Sequence, residues 1–318
     1  MARSLNPFFL AGLGAGAAAL AIAATRALRS APPPDGAVIL VTGGSRGLGY
    51  AIASRFARRP VRLVLAARDR LELATAQQTL LEAHPHLNPS DFYLVDADLC
   101  NPNECHRLID EALARFGRID VLVNNAGVIE VGPAECQHLD AFYRAMHIHF
   151  YGPLHILWAA LPHLRQQDPM PGWSRRAAIV NIASIGGKIA VPHMLPYTAS
   201  KFALVGFSEG LHAELRQHGI HVTTVCPGLM RTGGEEHAHF VGDVEAERRW
   251  FNLGTNAPIL SASVEHAACR IYSAVAQGLA EITITPQAWL AARFVGHWPG
   301  TAQVLAGLAN EYILPAAP

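Results

Sequence analysis

The sequence predicts an α/β protein with a single domain built around a doubly wound parallel sheet. Short apolar runs rich in β-branched residues alternate with segments of helical periodicity, as in successive βαβ units. The runs are apolar on both faces, which is typical of strands buried between two layers of helices. A glycine-rich turn directly follows the first run. The 318 residues suffice for one large domain with a full hydrophobic core.

The composition excludes several classes of protein. Charged residues make up 16% of the chain and hydrophobic residues 51%, which excludes disorder and favours contact with a membrane or with apolar partners. The 25 lysines and arginines are balanced by 25 acidic residues, so we expect no nucleic-acid partner. Five scattered cysteines without CxxC spacing indicate a reducing compartment. The 16 histidines lack ligand spacing, and no metal is predicted.

The N-terminal residues 1–30 form a hydrophobic segment. Residues 7–25 carry no charge and are about as long as a helix that spans a bilayer. We predict an uncleaved membrane-anchor helix; a cleaved signal peptide and a soluble or surface-lying helix are the alternatives. Residues 31–36 contain three consecutive prolines and are predicted to be a linker. The folded domain is then expected over residues 37–285.

The first predicted strand, residues 37–41, leads into a phosphate-binding turn and a helix. Glycines between a strand and a helix let backbone N–H groups and the helix N-terminus approach a pyrophosphate. Further strands are predicted at residues 61–67, 92–95, 119–123, 179–182, 221–226 and 282–285. The candidate cofactor-binding residues of the turn are Thr42, Gly43, Ser45, Arg46, Gly47, Leu48 and Gly49.

The end of the second strand favours the phosphorylated cofactor NADP(H). Arg68 stands where an NAD-binding protein typically presents a carboxylate to the ribose 2′-hydroxyl. Arg68 offers a cation for a 2′-phosphate instead, and Arg46 is a second cation in the same neighbourhood. Asp69 keeps an alternative open, because it lies about 20 residues beyond the last glycine and could serve as the ribose acid.

In these motifs and in others downstream, the chain resembles the short-chain dehydrogenase/reductase family. The glycine turn has the spacing TGxxxGxG, residues 124–127 read NNAG, and residues 227–232 follow the pattern PGxxxT. The resemblance implies a Rossmann-like fold over residues 37–285. It also implies an adenine site after the third strand, a cofactor-lining NNAG turn and a PGxxxT segment at the nicotinamide end. The cofactor residues implied in this way are Asp98, Leu99, Asn125, Ala126, Gly127, Pro227, Gly228 and Thr232.

The candidate catalytic residues are Ser184, Tyr197 and Lys201. Tyr197 follows Ser184 by 13 residues and precedes Lys201 by four, so Tyr197 and Lys201 share one helix face. A nearby ammonium is expected to lower the pKa of Tyr197 by favouring the phenolate. Such a tyrosine can give a proton to a developing alkoxide or take one in the reverse reaction, and Ser184 can hydrogen-bond the same oxygen. The resemblance adds that Lys201 reaches the nicotinamide ribose.

One position departs from the family pattern. Family members usually carry an asparagine three residues before a glycine on the helix ahead of the serine, where it holds a water on a proton relay. Here His149 precedes Gly152 at that spacing. Because histidine titrates near neutral pH, we predict that His149 replaces the asparagine or acts in the relay, with altered pH dependence. A merely tolerated substitution is the alternative.

The substrate side and the C-terminus are predicted to be apolar. The resemblance places residues 229–263, with Trp250 and Phe251, as a lid over the substrate cleft. Residues 286–318 contain only two charged side chains and are expected to form two helices divided at Pro299. This C-terminal extension is predicted to lie on a bilayer, cover the pocket or pack on a partner subunit, with an ordinary core helix as the alternative.

Together these observations predict an NADP(H)-dependent oxidoreductase that interconverts a ketone or aldehyde with an alcohol. The substrate is expected to be small and hydrophobic, such as a steroid, retinoid, quinone or acyl-chain ketone, because the resemblance is nearest to membrane-associated hydroxysteroid and retinol dehydrogenases. We expect a homo-oligomer, dimer or tetramer, that is membrane-associated through residues 1–30 with a cytoplasmic catalytic domain. The alternative is a catalytically weak NADP-binding regulatory or scaffold protein, for which His149 is the supporting feature.

Overall fold

The computed structural model describes residues 31–231, 233, 237–256 and 261–316. A seven-stranded parallel sheet forms its centre, and two short parallel strand pairs lie outside it. In chain order the strands are β1 Val38–Thr42, β2 Arg62–Ala67, β3 Phe92–Asp96, β4 Val121–Asn124, β5 Glu130–Val131, β6 Ala177–Ile182, β7 Ile220–Cys226, β8 Leu229–Arg231, β9 His239–Phe240, β10 Ser261–Ser263 and β11 Glu281–Thr283. The order across the main sheet is β11-β7-β6-β4-β1-β2-β3, and the two pairs are β5 with β9 and β8 with β10.

Helices cover both faces of the sheet. Helices α1, α2 and α8 contribute to the core on one face, and α3, α5 and α6 contribute to the core on the other. Their bounds and those of the remaining helices are α1 Gly47–Phe56, α2 Arg70–Ala83, α3 Pro102–Phe116, α4 Leu139–Met146, α5 Gly152–Gln166, α6 Leu195–Leu215, α7 Val244–Asn256, α8 Val264–Gln277, α9 Pro286–His297 and α10 Pro299–Tyr312.

Strand β1 shows why the predicted strands are continuously apolar. All of its residues are buried. Ile39 and Val41 belong to the core under α1 and α8, whereas Val38 and Leu40 belong to the core under α3 and α5. Successive strand residues point to opposite faces, so a strand between two helix layers needs apolar residues at every position. The predicted single-domain, doubly wound sheet is therefore confirmed.

The sheet topology determines where a ligand can bind. From β1 the chain builds β2 and β3 on one side, and then crosses to β4 and the remaining strands on the other. Parallel strands direct their carboxyl ends to one edge, and a crevice opens where the strand order reverses. The switch point lies between β1 and β4. Thr42 and Asn124 end these two strands, so they mark the crevice.

Several element boundaries differ from the predicted ones. The strand predicted at residues 119–123 spans Val121–Asn124, and just before it the Asp120 carboxylate accepts a hydrogen bond from the Val38 backbone at 2.9 Å. The N-terminal hydrophobic helix predicted for residues 1–30 lies outside the described residues. In the described part of the chain, no helix has both the length and the apolar character needed to cross a membrane. The two expected C-terminal helices are present as α9 and α10.

Candidate active site

The glycine turn and the NNAG turn are tied together at the switch point. The Thr42 hydroxyl accepts hydrogen bonds from the backbone N–H groups of Asn125 at 2.9 Å and Ala126 at 3.2 Å. In return, the Asn125 side-chain amide donates to the carbonyls of Thr42 and Gly43 at 3.0 and 3.2 Å. The polar side chains of both motifs thus serve to hold the two turns in register.

The glycine turn fits a dinucleotide phosphate. Gly43 and Gly47 have φ angles of 64° and 55°, which favour glycine. A Cβ at Gly49 would lie 2.0 Å from the carbonyl oxygen of Gly43, so α1 approaches the turn more closely than any side chain permits. Arg46 precedes α1 and its side chain does not cap the helix. The N–H groups of the first turn are therefore available to an anion.

The adenosine end of the crevice lies beside β2. The N–H of Gly43 donates to the Ala66 carbonyl at 2.7 Å, which brings the end of β2 next to the turn. Arg68 is exposed there and makes no hydrogen bond or ion pair within the described residues. The Asp69 carboxylate accepts from the N–H groups of Leu71 and Glu72 at 2.8 and 3.1 Å, so it caps α2.

Ser45 and Arg46 are both bound to Glu72 at the same end of the crevice. The Ser45 hydroxyl donates to Glu72 Oε2 at 2.9 Å, and the Arg46 guanidinium donates to Glu72 Oε1 at 3.2 Å. The same Arg46 nitrogen lies 2.8 Å from His237 Nε2. Arg46 therefore connects the glycine turn both to α2 and to the segment that follows β8.

The predicted adenine residues lie next to the end of β2. The N–H of Ala97 donates to the Ala67 carbonyl at 2.9 Å, which brings the segment after β3 against β2. Leu99 is buried, and Asp98 Oδ1 accepts from the N–H of Cys100 at 3.0 Å. Asp98, Leu99 and Arg68 are thus grouped at one end of the crevice.

Ser184 and Tyr197 approach each other across Gly186. Ser184 follows β6 directly, and its Oγ accepts a hydrogen bond from the N–H of Gly186 at 3.0 Å. A Cβ at Gly186 would lie 3.2 Å from the Tyr197 ring and 3.4 Å from Ser184 Oγ. Glycine at this position therefore leaves room for the serine and the tyrosine to approach each other.

Lys201 lies one helical turn beyond Tyr197, as its spacing predicts, but no hydrogen bond joins the two described side chains. Lys201 Nζ lies 5.6 Å from the centre of the Tyr197 ring. It donates to the Ile182 carbonyl at 2.8 Å instead, at the end of β6. Lys201 is buried, and this burial lowers its pKa to about 7.

The expected effect of Lys201 on the pKa of Tyr197 is not found. Burial raises the pKa of Tyr197 above its ordinary value, and the hydrogen bond from Ser184 opposes that rise. Desolvation therefore sets the direction of the shift, because burial removes the phenolate from water. Tyr197 is held as the protonated acid.

His149 sits in a π-helical turn, His147–Tyr151, between α4 and α5. The N–H of Val128 donates to His149 Nε2 at 3.1 Å, so this ring nitrogen is the acceptor. The other ring nitrogen, Nδ1, lies 2.8 Å from Ser200 Oγ, and the Ser200 hydroxyl in turn donates to the Tyr197 carbonyl at 2.8 Å. Together these contacts define a neutral ring protonated at Nδ1.

This geometry does not support the predicted proton relay through a titrating His149. The ring is buried, and burial together with the nearby Lys201 holds the pKa of His149 well below its usual range. Both ring nitrogens are already engaged. The ring instead packs edge-on against Tyr197 with 5.4 Å between ring centres. His149 therefore links the backbone of Val128 to Ser200 on the helix that carries Tyr197.

The predicted nicotinamide end lies beside Ser184. The Pro227 carbonyl accepts from the N–H of Ile185 at 2.7 Å, which holds the turn after β7 against the serine loop. A Cβ at Gly228 would lie 2.3 Å from Thr285 Oγ1, so only glycine fits there. Thr232, also predicted to bind the cofactor, lies outside the described residues.

An apolar cluster adjoins Tyr197 and contains the predicted lid residues. Val131, Met194 and Phe251 are its buried members, and Trp250 packs against them. Helix α7 carries both aromatic residues, so this part of the segment 229–263 packs beside Tyr197. The apolar residues between Ser184 and Tyr197 therefore contribute to the surroundings of the site, as well as to the core.

A buried hydrogen-bonded pair of side chains joins α7 to the loop before Tyr197. His193 Nδ1 lies 2.8 Å from Glu247 Oε1, and both side chains are buried. Trp250 Nε1 donates to the other carboxylate oxygen of Glu247 at 2.6 Å. His193 has a φ of 63°, a conformation that non-glycine residues rarely adopt.

Sequence reasoning missed four participants: Ser200, Glu72, His193 and Glu247. Glu72 carried one usable signal, because it stands three residues after the capping Asp69 in a capping-box pattern. The pattern marks a helix start, but it does not show that the carboxylate turns toward Ser45. No group of three or more potential metal ligands is found in the part of the chain that the structure describes.

Comparisons with known proteins assign the chain to a family. The family model described as short chain dehydrogenase matches residues 37–239. "Dehydrogenase/reductase SDR family protein 7-like" of Anopheles gambiae is 31% identical over 85% of this chain and 81% of its own length. "11-beta-hydroxysteroid dehydrogenase 1A" of Arabidopsis thaliana is 32% identical over 66% of this chain, which spans 57% of that protein's length.

Solved structures agree with this assignment. A short chain dehydrogenase/reductase from Burkholderia phymatum, in complex with NAD, superposes with a TM-score of 0.74 at 26% identity. The match covers 84% of this chain and 95% of the other. The chain belongs to the short-chain dehydrogenase/reductase family. It is therefore an oxidoreductase by family, with a fold that binds a nicotinamide cofactor.

Proposed function

We propose that the protein is an NADP(H)-dependent carbonyl reductase or alcohol dehydrogenase acting on a small hydrophobic substrate. The observation that carries the proposal is the meeting of Ser184 and Tyr197 across Gly186, beside an apolar cluster. The similarity to a protein named 11-beta-hydroxysteroid dehydrogenase supports a steroid-like substrate. Retinoids, quinones and acyl-chain ketones share the same chemistry: one carbonyl or hydroxyl on an apolar body.

In the proposed reaction the chain supplies the proton, and the bound nicotinamide supplies or accepts the hydride. Tyr197, protonated because burial raises its pKa, gives its phenolic proton to the substrate oxygen as that oxygen becomes an alkoxide. Ser184 Oγ is placed to donate a second hydrogen bond to the same oxygen. Lys201, anchored on the Ile182 carbonyl, holds a partial positive charge one turn away, which stabilises the phenolate left on Tyr197.

The residues at the crevice fit the phosphorylated cofactor. Arg68 and Arg46 provide cations at the adenosine end, and Asp69 is occupied as a helix cap. A 2′-phosphate carries more than one negative charge near pH 7 and is best bound by such guanidinium groups. This arrangement supports NADP(H) over NAD(H). The Burkholderia phymatum structure contains NAD, so the test compares turnover of NADPH with turnover of NADH.

The test is turnover of NADPH and NADH by the full-length chain in mild detergent. The substrates are a panel of hydrophobic ketones, aldehydes and quinones. We expect NADPH oxidation that falls by a factor of about 10² to 10⁴ in Tyr197→Phe, the range associated with loss of a general acid. Tyr143→Phe, an exposed tyrosine on α4, is the matched control and should retain activity.

The second candidate is a catalytically weak NADP-binding protein. His149 in place of the family asparagine favours it, because a neutral ring with both nitrogens engaged leaves no free group for a water relay. Tight NADPH binding without turnover on any member of the panel would support this candidate, whereas turnover that depends on Tyr197 would exclude it.

We also propose a membrane-associated homo-oligomer with a cytoplasmic catalytic domain. The uncharged residues 7–25 support the membrane association. Exposed aromatic side chains on neighbouring helices, Tyr151 and Trp158 near α5 and Phe202 on α6, support a dimer or tetramer. Carbonate extraction of membranes tests the membrane association. Analytical ultracentrifugation of the detergent-solubilised chain, with and without Trp158→Glu, tests the oligomeric state.

A further inference from the structure

The side chain of Glu72 occupies the two groups of the glycine turn that are best suited to bind a 2′-phosphate. The Ser45 hydroxyl and the Arg46 guanidinium donate to its two carboxylate oxygens at 2.9 and 3.2 Å. One carboxylate thus takes the bonds that a phosphate at the adenosine end would need.

We propose that Glu72 is a specificity-determining residue that competes with the cofactor 2′-phosphate for Ser45 and Arg46. It lowers the affinity for NADP(H) without affecting the affinity for NAD(H). The inference rests on the proposed NADP(H) site, and it concerns the adenosine end rather than the chemistry at Tyr197.

The orientation of Glu72 supports this role. Glu72 stands at the third position of α2, where a capping-box glutamate turns back toward its own helix start. Asp69 already caps α2 through the N–H groups of Leu71 and Glu72. The Glu72 carboxylate turns instead toward the glycine turn, which lies more than 25 residues earlier in the chain.

Exposure supports displacement rather than a fixed structural bridge. The side chains of Arg46 and Glu72 are 48% and 39% exposed, and a pair of this kind is weak and screened by salt. A bound phosphate must therefore either displace the Glu72 carboxylate from Arg46 or lie close to it. Displacement breaks the existing contact, and close approach places two negative groups side by side, so Glu72 opposes phosphate binding in both cases.

Among the described residues, Glu72 is the carboxylate that is hydrogen-bonded to Arg46. His237, the second partner of Arg46, accepts through Nε2 and contributes no negative charge in this arrangement. Arg68 is exposed and makes no hydrogen bond or ion pair within the described residues, so it offers a cation to the phosphate. A ribose 2′-hydroxyl, as in NAD(H), is neutral and meets no repulsion from Glu72.

The experiment measures equilibrium binding rather than turnover. Dissociation constants of NADPH, NADH and adenosine 2′,5′-bisphosphate are determined by calorimetry on the full-length chain, as wild type and as Glu72→Gln. Glu82→Gln, an exposed glutamate on the same helix, is the matched control for the change of charge. Arg68→Ala reports separately on the proposed NADP(H) preference.

In Glu72→Gln we expect the dissociation constants of NADPH and of the bisphosphate to fall by about threefold to tenfold, the size of one exposed charge interaction at a few ångströms. The NADH constant should stay within about twofold, and the gain should shrink at high salt. Unchanged or weaker NADPH binding in Glu72→Gln would overturn the inference and assign Glu72 to supporting Arg46.

Loss of NADH binding alone would also overturn it and make Glu72 the ribose acid. The proposed function fails on a different result, namely wild type that prefers NADH and an Arg68→Ala variant with unchanged NADPH binding. If neither nucleotide binds to the wild type, both proposals fail.

Discussion

His193 and Glu247 form a buried hydrogen-bonded pair that joins the loop before Tyr197 to helix α7. The Nδ1 to Oε1 distance is 2.8 Å, and Trp250 completes the set by donating to the second carboxylate oxygen. The pair holds His193 at a positive φ, and the His193 carbonyl accepts a hydrogen bond from the N–H of Gly132 at 2.7 Å. The apolar cluster at Tyr197 is therefore bordered by buried hydrogen bonds that link α7 to the loop before Tyr197.

We predict that His193→Asn separates substrate binding from chemistry. Asparagine tolerates the positive φ, so the change mainly leaves the buried Glu247 carboxylate without its histidine. We expect a loss of about 2 kcal/mol in the free energy of unfolding and a rise in KM that exceeds the fall in kcat, because α7 carries the lid aromatics. Urea unfolding and steady-state kinetics check this. His266→Asn, on the exposed face of α8, is the control; equal effects in both variants would contradict the prediction.

Because of Lys201, the free energy of unfolding should depend on pH in the neutral to alkaline range. Its pKa is about 7 in the folded protein against an ordinary value of 10.5. The unfolded chain therefore binds one more proton between these values, and stability rises with pH across that window. Lys201→Met removes the cost of burying the amine, so we expect the variant to be inactive yet about 1–4 kcal/mol more stable at pH 7. The difference from wild type should shrink toward pH 10, as measured by denaturant titration; a pH-independent difference would refute this prediction.

His149 should not appear in the pH profile of the reaction. Its ring stays neutral in the folded protein, because burial and Lys201 hold its pKa well below 6.5. We therefore expect the ratio of kcat in wild type to kcat in His149→Asn to stay constant between about pH 6 and pH 8. The free energy of unfolding should depend on pH, because His149 of the unfolded chain takes up a proton as the pH falls below 6.5. The free energy of unfolding should therefore fall more steeply toward acid pH in wild type than in the variant. A kcat ratio that follows a titration near neutral pH would restore the relay.

Gly127 and His149 should be coupled energetically. A Cβ at Gly127 would lie 2.7 Å from His149 Nε2, in the direction of the hydrogen bond from Val128. We expect Gly127→Ala to cost about 1–3 kcal/mol in the free energy of unfolding. The same change should cost less in a His149→Ala background, because the ring is then absent. A double-mutant cycle by urea unfolding measures the coupling, and strictly additive effects would disprove it.

Much of the fold follows from local pattern. The continuously apolar strands and the glycine turn predict the parallel sheet and its crevice, because a strand such as β1 must satisfy a core on each face. Of the catalytic set, the helical spacing of Tyr197 and Lys201 was enough to place both residues on α6. Boundaries are less accurate, as at residues 119–123, where β4 spans Val121–Asn124.

The parts that could not be predicted depend on contacts distant in sequence. The pKa of Tyr197 is set by its burial, which the spacing to Lys201 does not report. The state of His149 depends on Val128 and Ser200, which are 21 and 51 residues away along the chain. The turn of Glu72 toward Ser45 likewise needs the packing of β1 beside β2. Residue type and spacing select the chemistry, whereas tertiary packing selects the protonation state.

The π-helical turn at His147–Tyr151 also sets the rotation of α5 about its own axis. Its closing bond runs from the N–H of Gly152 to the His147 carbonyl, one residue longer than an α-helical bond. Each residue advances an α-helix by about 100°. If the same residues wound as an α-helix instead, all of α5 would be rotated by about that angle. Its buried side chains, Ile156 among them, would then face water, so the wider winding of this short turn determines which side of a fifteen-residue helix belongs to the core.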